Sequence, residues 1–379
     1  MISYGRQSIS AADIEAVVKV LQSDYLTQGP AVPAFENKLA SISSAKHAVA
    51  VNSATSALHI ACLALEVGPG DTVWTSPTTF VASANCARYC GASVDFVDID
   101  PDTWCLSPVY LAEKLKLHQE RKLPLPKVVV AVHLCGQSCD MESIAALATQ
   151  YGFRIIEDAS HALGGRYHEA PVGNCSYSDI AVLSFHPVKM ITTGEGGAAL
   201  TNNEDLYRSM ARLRSHGITR DVDQLTCKSP GPWYYEQLDL GFNYRMTDLQ
   251  AALGASQLTR LEQFLKTRNE LAKRYDLLLT DSSFTTQKIP DNVQSSHHLY
   301  VVRVSVDRRD TVCEHLRDAG ISSSLHYFPV HLQPYYRKLG FSDGMYPEAE
   351  RYALEAITLP LFPQLTHASQ DKVIRVLCR

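Results

Sequence analysis

The chain has no excess of positive charge: 35 Lys and Arg stand against 40 Asp and Glu, a formal net charge of −5. That excludes a general affinity for nucleic-acid phosphates. No apolar run approaches the ~18 residues of a membrane-spanning helix. The first residues, Met1-Ile2-Ser3-Tyr4-Gly5-Arg6, lack a basic run followed by an apolar core, so no secretory signal is expected. Neither G-x-G-x-x-G after a strand nor G-x-x-x-x-G-K-[ST] occurs, and Gly194-Glu195-Gly196-Gly197 fits neither spacing. Nicotinamide and P-loop chemistry therefore have no motif to stand on. The ten cysteines contain no CxxC pair; even Cys86/Cys90 and Cys135/Cys139 are spaced too widely. The expectation is reduced, mostly buried thiols in a cytoplasmic protein, with no metal site.

What is present is ordinary globular composition, 45% apolar and 20% charged, over 379 residues. That length suits one large domain and a smaller one. Short runs rich in Val and Ile recur at Ala48–Val51, Thr72–Thr75, Ser93–Val97, Lys127–His133, Arg154–Glu157 and Ile180–Phe185. Helical patterns such as Thr55–Leu65 and Met141–Tyr151 separate them. This alternation predicts an α/β fold with a mainly parallel sheet covered on both faces. From Asp248 to about Tyr275, apolar positions at Leu249, Ala252, Leu253, Leu258, Leu261, Leu265 and Leu271 predict one long amphipathic helix. A strand (Leu299–Val306) and a helix (Thr311–Ala319) then predict a smaller C-terminal α+β domain. The expected division is residues 1–250 and 251–379.

In such sheets ligands gather at the C-terminal strand ends. Four segments place polar groups there. Val51-Asn52-Ser53-Ala54-Thr55-Ser56-Ala57-Leu58 is a strand end, a small-residue turn and a helix start. The amides of Ala54 and Thr55 at that helix start suit an anion such as phosphate, although Ser53 or Thr55 could simply cap the helix. Phe80 follows the next strand and could stack on a flat ring, or sit in the core. Asp158 closes an apolar strand, where a carboxylate can keep a pyridinium nitrogen protonated; alternatively it caps a helix. His161, three residues on, could reach a phenolic oxygen beside that ring. Finally Ser184-Phe185-His186-Pro187-Val188-Lys189 ends a strand and delivers a lysine, and Gly194, Gly196 and Gly197 let the backbone return beside it. A shielded lysine amine is a nucleophile toward an aldehyde. Each segment alone is weak; their joint order, a phosphate turn, an aromatic, an Asp at a strand end, then Ser and Lys, is much more specific.

These motifs, with Tyr25-Leu26-Thr27-Gln28-Gly29-Pro30, Gly241-Phe242-Asn243-Tyr244-Arg245-Met246 and His326-Tyr327-Phe328-Pro329-Val330-His331, resemble the DegT/DnrJ/EryC1/StrS sugar aminotransferases. The resemblance runs essentially end to end. It implies a fold type I enzyme dependent on pyridoxal 5'-phosphate (PLP), with Lys189 carrying the cofactor as a Schiff base and Asp158 on the ring nitrogen. It also implies Phe80 on the ring face, His161 near the phenolic oxygen, and Ala54, Thr55 and Ser184 on the phosphate. Asn243 would reach the phosphate of a neighbouring subunit, which implies a homodimer with shared active sites. Tyr4-Gly5-Arg6-Gln7 and Leu26-Thr27-Gln28-Gly29 make the chain most similar to members that aminate C4 of a UDP-linked 4-keto-6-deoxy-N-acetyl-hexosamine for pseudaminic acid. By that likeness Tyr4, Tyr25, Thr27, His326 and Tyr327 belong to the sugar-nucleotide site and L-glutamate is the amino donor. C3 amination, or another nucleotide-linked keto-sugar, fits the same cofactor residues. Deoxygenating relatives replace the lysine with His, so Lys189 argues against a sugar dehydratase. A non-catalytic regulator on this scaffold would have no use for the intact Lys, Asp and Ser set.

Overall fold

A computed structural model describes all residues 1–379. Two helices, α1 (Ala11–Leu21) and α2 (Ala31–Ser43), precede the strand–helix alternation. It runs β1 (His47–Val51), α3 (Ala54–Ala64), β2 (Thr72–Thr75), α4 (Ala82–Tyr89), β3 (Ser93–Phe96), α5 (Pro108–Glu120), β4 (Val128–Val132), α6 (Met141–Tyr151) and β5 (Arg154–Asp158). Two short strands, β6 (Arg166–Tyr167) and β7 (Ala170–Pro171), lead to β8 (Ile180–Ser184), β9 (Gly197–Thr201) and α7 (Glu204–Leu213). The expected α/β fold is present, and no helix is long and apolar enough to cross a membrane. The strands form because β-branched residues fill positions covered on both faces; all five residues of β4, Val128-Val129-Val130-Ala131-Val132, are buried.

The main sheet has the order β1-β9-β8-β5-β4-β2-β3. Strands β8, β5, β4, β2 and β3 are parallel, while β9 runs antiparallel to both β8 and β1. The two reversals cancel, so β1 points the same way as β8. The C-terminal ends of β1, β2, β4, β5 and β8 therefore share one edge. The sequence pattern missed β9: its glycine start reads as a turn, and only pairing with two neighbours makes Gly197–Thr201 a buried strand.

After the short antiparallel pair β10 (Ile218–Thr219) and β11 (Glu236–Gln237), the expected long helix divides. It forms α8 (Asp248–Leu258) and α9 (Leu261–Leu279). The amides of Thr259 and Arg260 turn back to the Ser256 and Gln257 carbonyls at 3.1 and 3.0 Å, and Thr259 Oγ1 donates to the Ser256 carbonyl at 2.6 Å. Arg260 leaves the helical region with φ −109° and ψ 5°. Continuous apolar spacing did not reveal the break, because Leu258 and Leu261 are both buried on either side of it. The turn aims Gln257 and Arg260 at one carboxylate on α1. Asp13, fully buried, accepts from Gln257 Nε2 at 2.7 Å, Ser256 Oγ at 2.6 Å and Arg260 Nη2 at 2.5 Å. Burial alone would raise this carboxyl; the hydrogen bonds of Ser256 and Ser10 and the Arg260 charge together hold it below its ordinary value.

Beyond α9 lie β12 (Thr285–Thr286), β13 (Val293–Gln294), β14 (Tyr300–Arg303), α10 (Val306–Asp318), α11 (Pro334–Arg337), α12 (Pro347–Glu355), β15 (Ala356–Leu359) and α13 (His367–Leu377). The order β12-β14-β15 forms a small antiparallel sheet, with α10 and α13 beside it. The expected strand through Val306 stops at Arg303. Val304 N bonds the Glu355 carbonyl at 3.1 Å, and Val306 already begins α10. Leu271, Tyr275, Val302, Leu316, Ile357 and Val373 anchor the core of this unit. Apolar contact is nevertheless continuous with the large sheet, since Leu299, Val301 and Tyr352 join its main core.

Asp13→Ala leaves Arg260 and Gln257 without their buried acceptor. A loss of about 3 kcal/mol in unfolding free energy is expected, measured by denaturant titration against the unaltered chain.

Candidate active site

The common strand edge opens into a cleft of about 530 Å³. Each wall follows from local sequence. Ser53 ends the turn after β1 and accepts the Ser56 amide at 3.1 Å, which caps α3. The cap takes Ser56 and leaves Ala54 and Thr55, in the first turn of α3, without intrahelical acceptors. Both line the cleft. Gly197 stands against this turn: a Cβ there would lie 2.4 Å from the Ala54 nitrogen. Only glycine lets β9 pass so close to α3.

Strand β8 ends at Ser184 in the cleft wall. The following loop closes on itself, with Phe185 N to the Gly196 carbonyl at 2.9 Å and Thr193 N to the Phe185 carbonyl at 3.0 Å. Lys189 sits in the turn of that loop and faces the cleft. Removal from water pushes its ammonium down to about 8, while the Asp158 carboxylate acts in the opposite direction. Asp158, at the end of β5, is buried and lines the same cavity. Its Oδ2 accepts from Ser83 Oγ at 2.6 Å and its Oδ1 from the Ser160 amide at 3.2 Å.

His161 is buried among donors that fix its tautomer. Its Nδ1 accepts the Cys135 amide at 3.3 Å, so Nε2 carries the proton, 3.0 Å from Tyr327 Oη. Burial, then the charge of Lys189, holds its pKa well below the ordinary value. His298 packs on it at 4.5 Å between ring centroids, is likewise pushed down by burial, and has an unpartnered Nδ1. His326 bonds Thr358 Oγ1 at 2.9 Å, lies 5.2 Å from the ring of Tyr4, and is pushed down to about 4 by burial. Tyr327 is raised, chiefly by burial. Around Lys189, therefore, stand three neutral histidines and a neutral phenol.

The structure brings together Tyr4, Ala54, Thr55, Phe80, Asp158, His161, Ser184, Lys189, His326 and Tyr327 in this cleft. Phe80 is 57% exposed, which rules out the core position that a lone phenylalanine would favour. Tyr25, Thr27 and Asn243 are not brought there. Tyr25 is exposed, Thr27 bridges Thr247, and Asn243 bridges Ser215 on the exterior of the chain. Glu195 and His298 were not named as site residues from sequence. Glu195 stands beside the lysine turn, next to Gly196 of the glycine return. His298 carried no local signal, because its partner His161 is remote in the chain.

The residues fit PLP. A helix start with free amides beside Ser184 suits a phosphate. A carboxylate, an exposed aromatic ring and a recessed amine stand in the same cavity.

The arrangement defines a class, that of aldehyde-cofactor enzymes acting through a lysine. Residues 7–378 match the DegT/DnrJ/EryC1/StrS aminotransferase family, and the chain belongs to it. It is a PLP-dependent sugar aminotransferase. The spore coat polysaccharide biosynthesis protein SpsC of Bacillus subtilis is 37% identical, covering 99% of this chain and 96% of the relative. Helicobacter pylori PseC, an aminotransferase involved in the biosynthesis of pseudoaminic acid, is 31% identical with a TM-score of 0.90, covering 99% of this chain and 98% of that one. The PLP form of a putative sugar aminotransferase from Streptococcus pneumoniae is 31% identical with a TM-score of 0.89, covering 99% and 97%.

Two outcomes follow from this geometry. The free amine of Lys189 grows as pH rises through about 8, so covalent capture of PLP by cofactor-free protein should accelerate with an inflection there. Stopped-flow absorbance reads it. Gly197→Ala forces β9 away from α3 and is expected to weaken PLP binding by at least about tenfold, a cost of ~1.4 kcal/mol, read by equilibrium dialysis.

Proposed function

We propose that this enzyme transfers an amino group from L-glutamate to C4 of a UDP-linked 4-keto-6-deoxy-N-acetyl-hexosamine. The observation that carries the reading is the meeting of Lys189, Asp158, Ser184 and the α3 N-terminus in one cleft, in a chain that aligns with PseC over nearly its whole length. In this reading the amides of Ala54 and Thr55 and the Ser184 hydroxyl hold the cofactor phosphate. Phe80 lies against the ring, Asp158 pairs with its nitrogen, and His161 stands near its phenolic oxygen. When bound, PLP supplies an aldehyde that captures amines covalently and a ring that accepts the electrons of a broken C–H bond.

The chain's own residues do the rest. Lys189 would hold the cofactor through its aldehyde carbon, and its amine, once free, would move the proton between the donor's α-carbon and that carbon. With the keto-sugar the same amine carries the proton in the opposite direction. Tyr4, His326 and Tyr327 form the wall that meets the sugar. Tyr25, Thr27 and Asn243, on the exterior of their own chain, serve the cleft of a second copy in a homodimer.

Lys189→Ala should lower transamination by at least about 1,000-fold, measured by single-turnover absorbance. Incubation with glutamate and a panel of UDP- and dTDP-linked keto-sugars, followed by NMR, should place the new amine at C4 of the UDP-linked acetamido sugar. Amination at C3, or a deoxygenated product without amine, would overturn the assignment.

A further inference from the structure

We propose that Ser83 is a positioning residue that keeps the cofactor ring protonated, acting through Asp158 at the end of a directed hydrogen-bond chain from Thr79. The proposal rests on the reading that Asp158 meets the ring nitrogen. Ser83 and Thr79 are both buried. Ser83 Oγ lies 2.6 Å from Asp158 Oδ2, and Thr79 Oγ1 lies 2.7 Å from Ser83 Oγ. The direction of both bonds is fixed by chemistry. A carboxylate only accepts, so the single proton of Ser83 goes to Asp158. Thr79 must then donate to Ser83. The one competing acceptor, the Phe80 carbonyl, is 3.4 Å from Ser83 Oγ.

Asp158 thus receives one donor on each oxygen, Ser83 on Oδ2 and the Ser160 amide on Oδ1. Two fixed donors orient the carboxyl plane, and the Thr79 hydroxyl polarises the Ser83 bond further. A proton shared with the ring stays on its nitrogen, because moving it to the carboxylate would weaken both donor bonds. Thr79 and Ser83 flank Phe80 in the turn that opens α4. One turn therefore places an aromatic ring in the cleft and tunes the carboxylate opposite it. Capping of α4 would not need a hydroxyl proton committed to a neighbouring strand's carboxylate.

The test loads the enzyme and its variants with PLP labelled with 15N in the ring, and reads ring protonation from the 15N chemical shift at fixed pH. In Ser83→Ala the ratio of protonated to unprotonated nitrogen should fall about tenfold, the size expected for one hydrogen bond to a charged group. Ser83→Thr, which keeps the hydroxyl, should restore it. Thr79→Val should move the shift in the same direction by less, and thermal melting confirms that each variant is folded. Asp158→Asn separates the two claims. If Asp158→Asn deprotonates the ring and Ser83→Ala leaves it unchanged, the Ser83 role is overturned while the Asp158 reading stands. If Asp158→Asn also leaves the ring unchanged, both are overturned.

Discussion

The site depends on one close backbone contact, the passage of Gly197 beside the first turn of α3. Strand β9 runs antiparallel between β8 and β1, pairing Gly197 with both Ser184 and Val51. That insertion makes β1 and β8 co-directional and brings their ends to the same edge. It also seats the α3 N-terminus next to Ser184. A side chain at Gly197 would collide with the Ser53–Ala54 backbone, and the edge would open between the α3 N-terminus and Ser184.

Around that edge the electrostatics are simple. Burial keeps His161, His298 and His326 neutral. Lys189 and Asp158 are then the groups whose charge shapes the interior of the cleft. A lysine brought to about 8 holds far more free amine near neutral pH than an ordinary lysine and can act as nucleophile and base. A carboxylate with a donor on each oxygen is held in one orientation and does not swing toward the lysine. The fold thus sets a recessed amine and an oriented carboxylate apart within a single cavity.

Much of this was legible in the chain. Six apolar runs gave six strands of the main sheet, because β-branched residues covered on both faces leave a continuous pattern. The order of Ala54, Thr55, Phe80, Asp158, Ser184 and Lys189 pointed to one cleft because each lies at or after a strand end. The errors have physical reasons. The break between α8 and α9 preserves apolar spacing, so periodicity is blind to it. Strand β9 begins on glycines whose pairing partners are distant in sequence. Ser83 carries no local signal, because its hydrogen bond is to a carboxylate on a strand remote in sequence.

The sequence by itself determined the α/β class, the strand ends and the kinds of groups placed at them, since these follow from local spacing and residue chemistry. Tertiary structure alone decided which of those ends share an edge, because direction in a sheet is set by pairing between remote segments. It also decided the tautomer of His161, through the Cys135 amide, and the orientation of Asp158, through Ser83. It left Tyr25, Thr27 and Asn243 on the exterior of the chain that carries them. Such contacts are formed between segments far apart in the chain, and no local pattern encodes them.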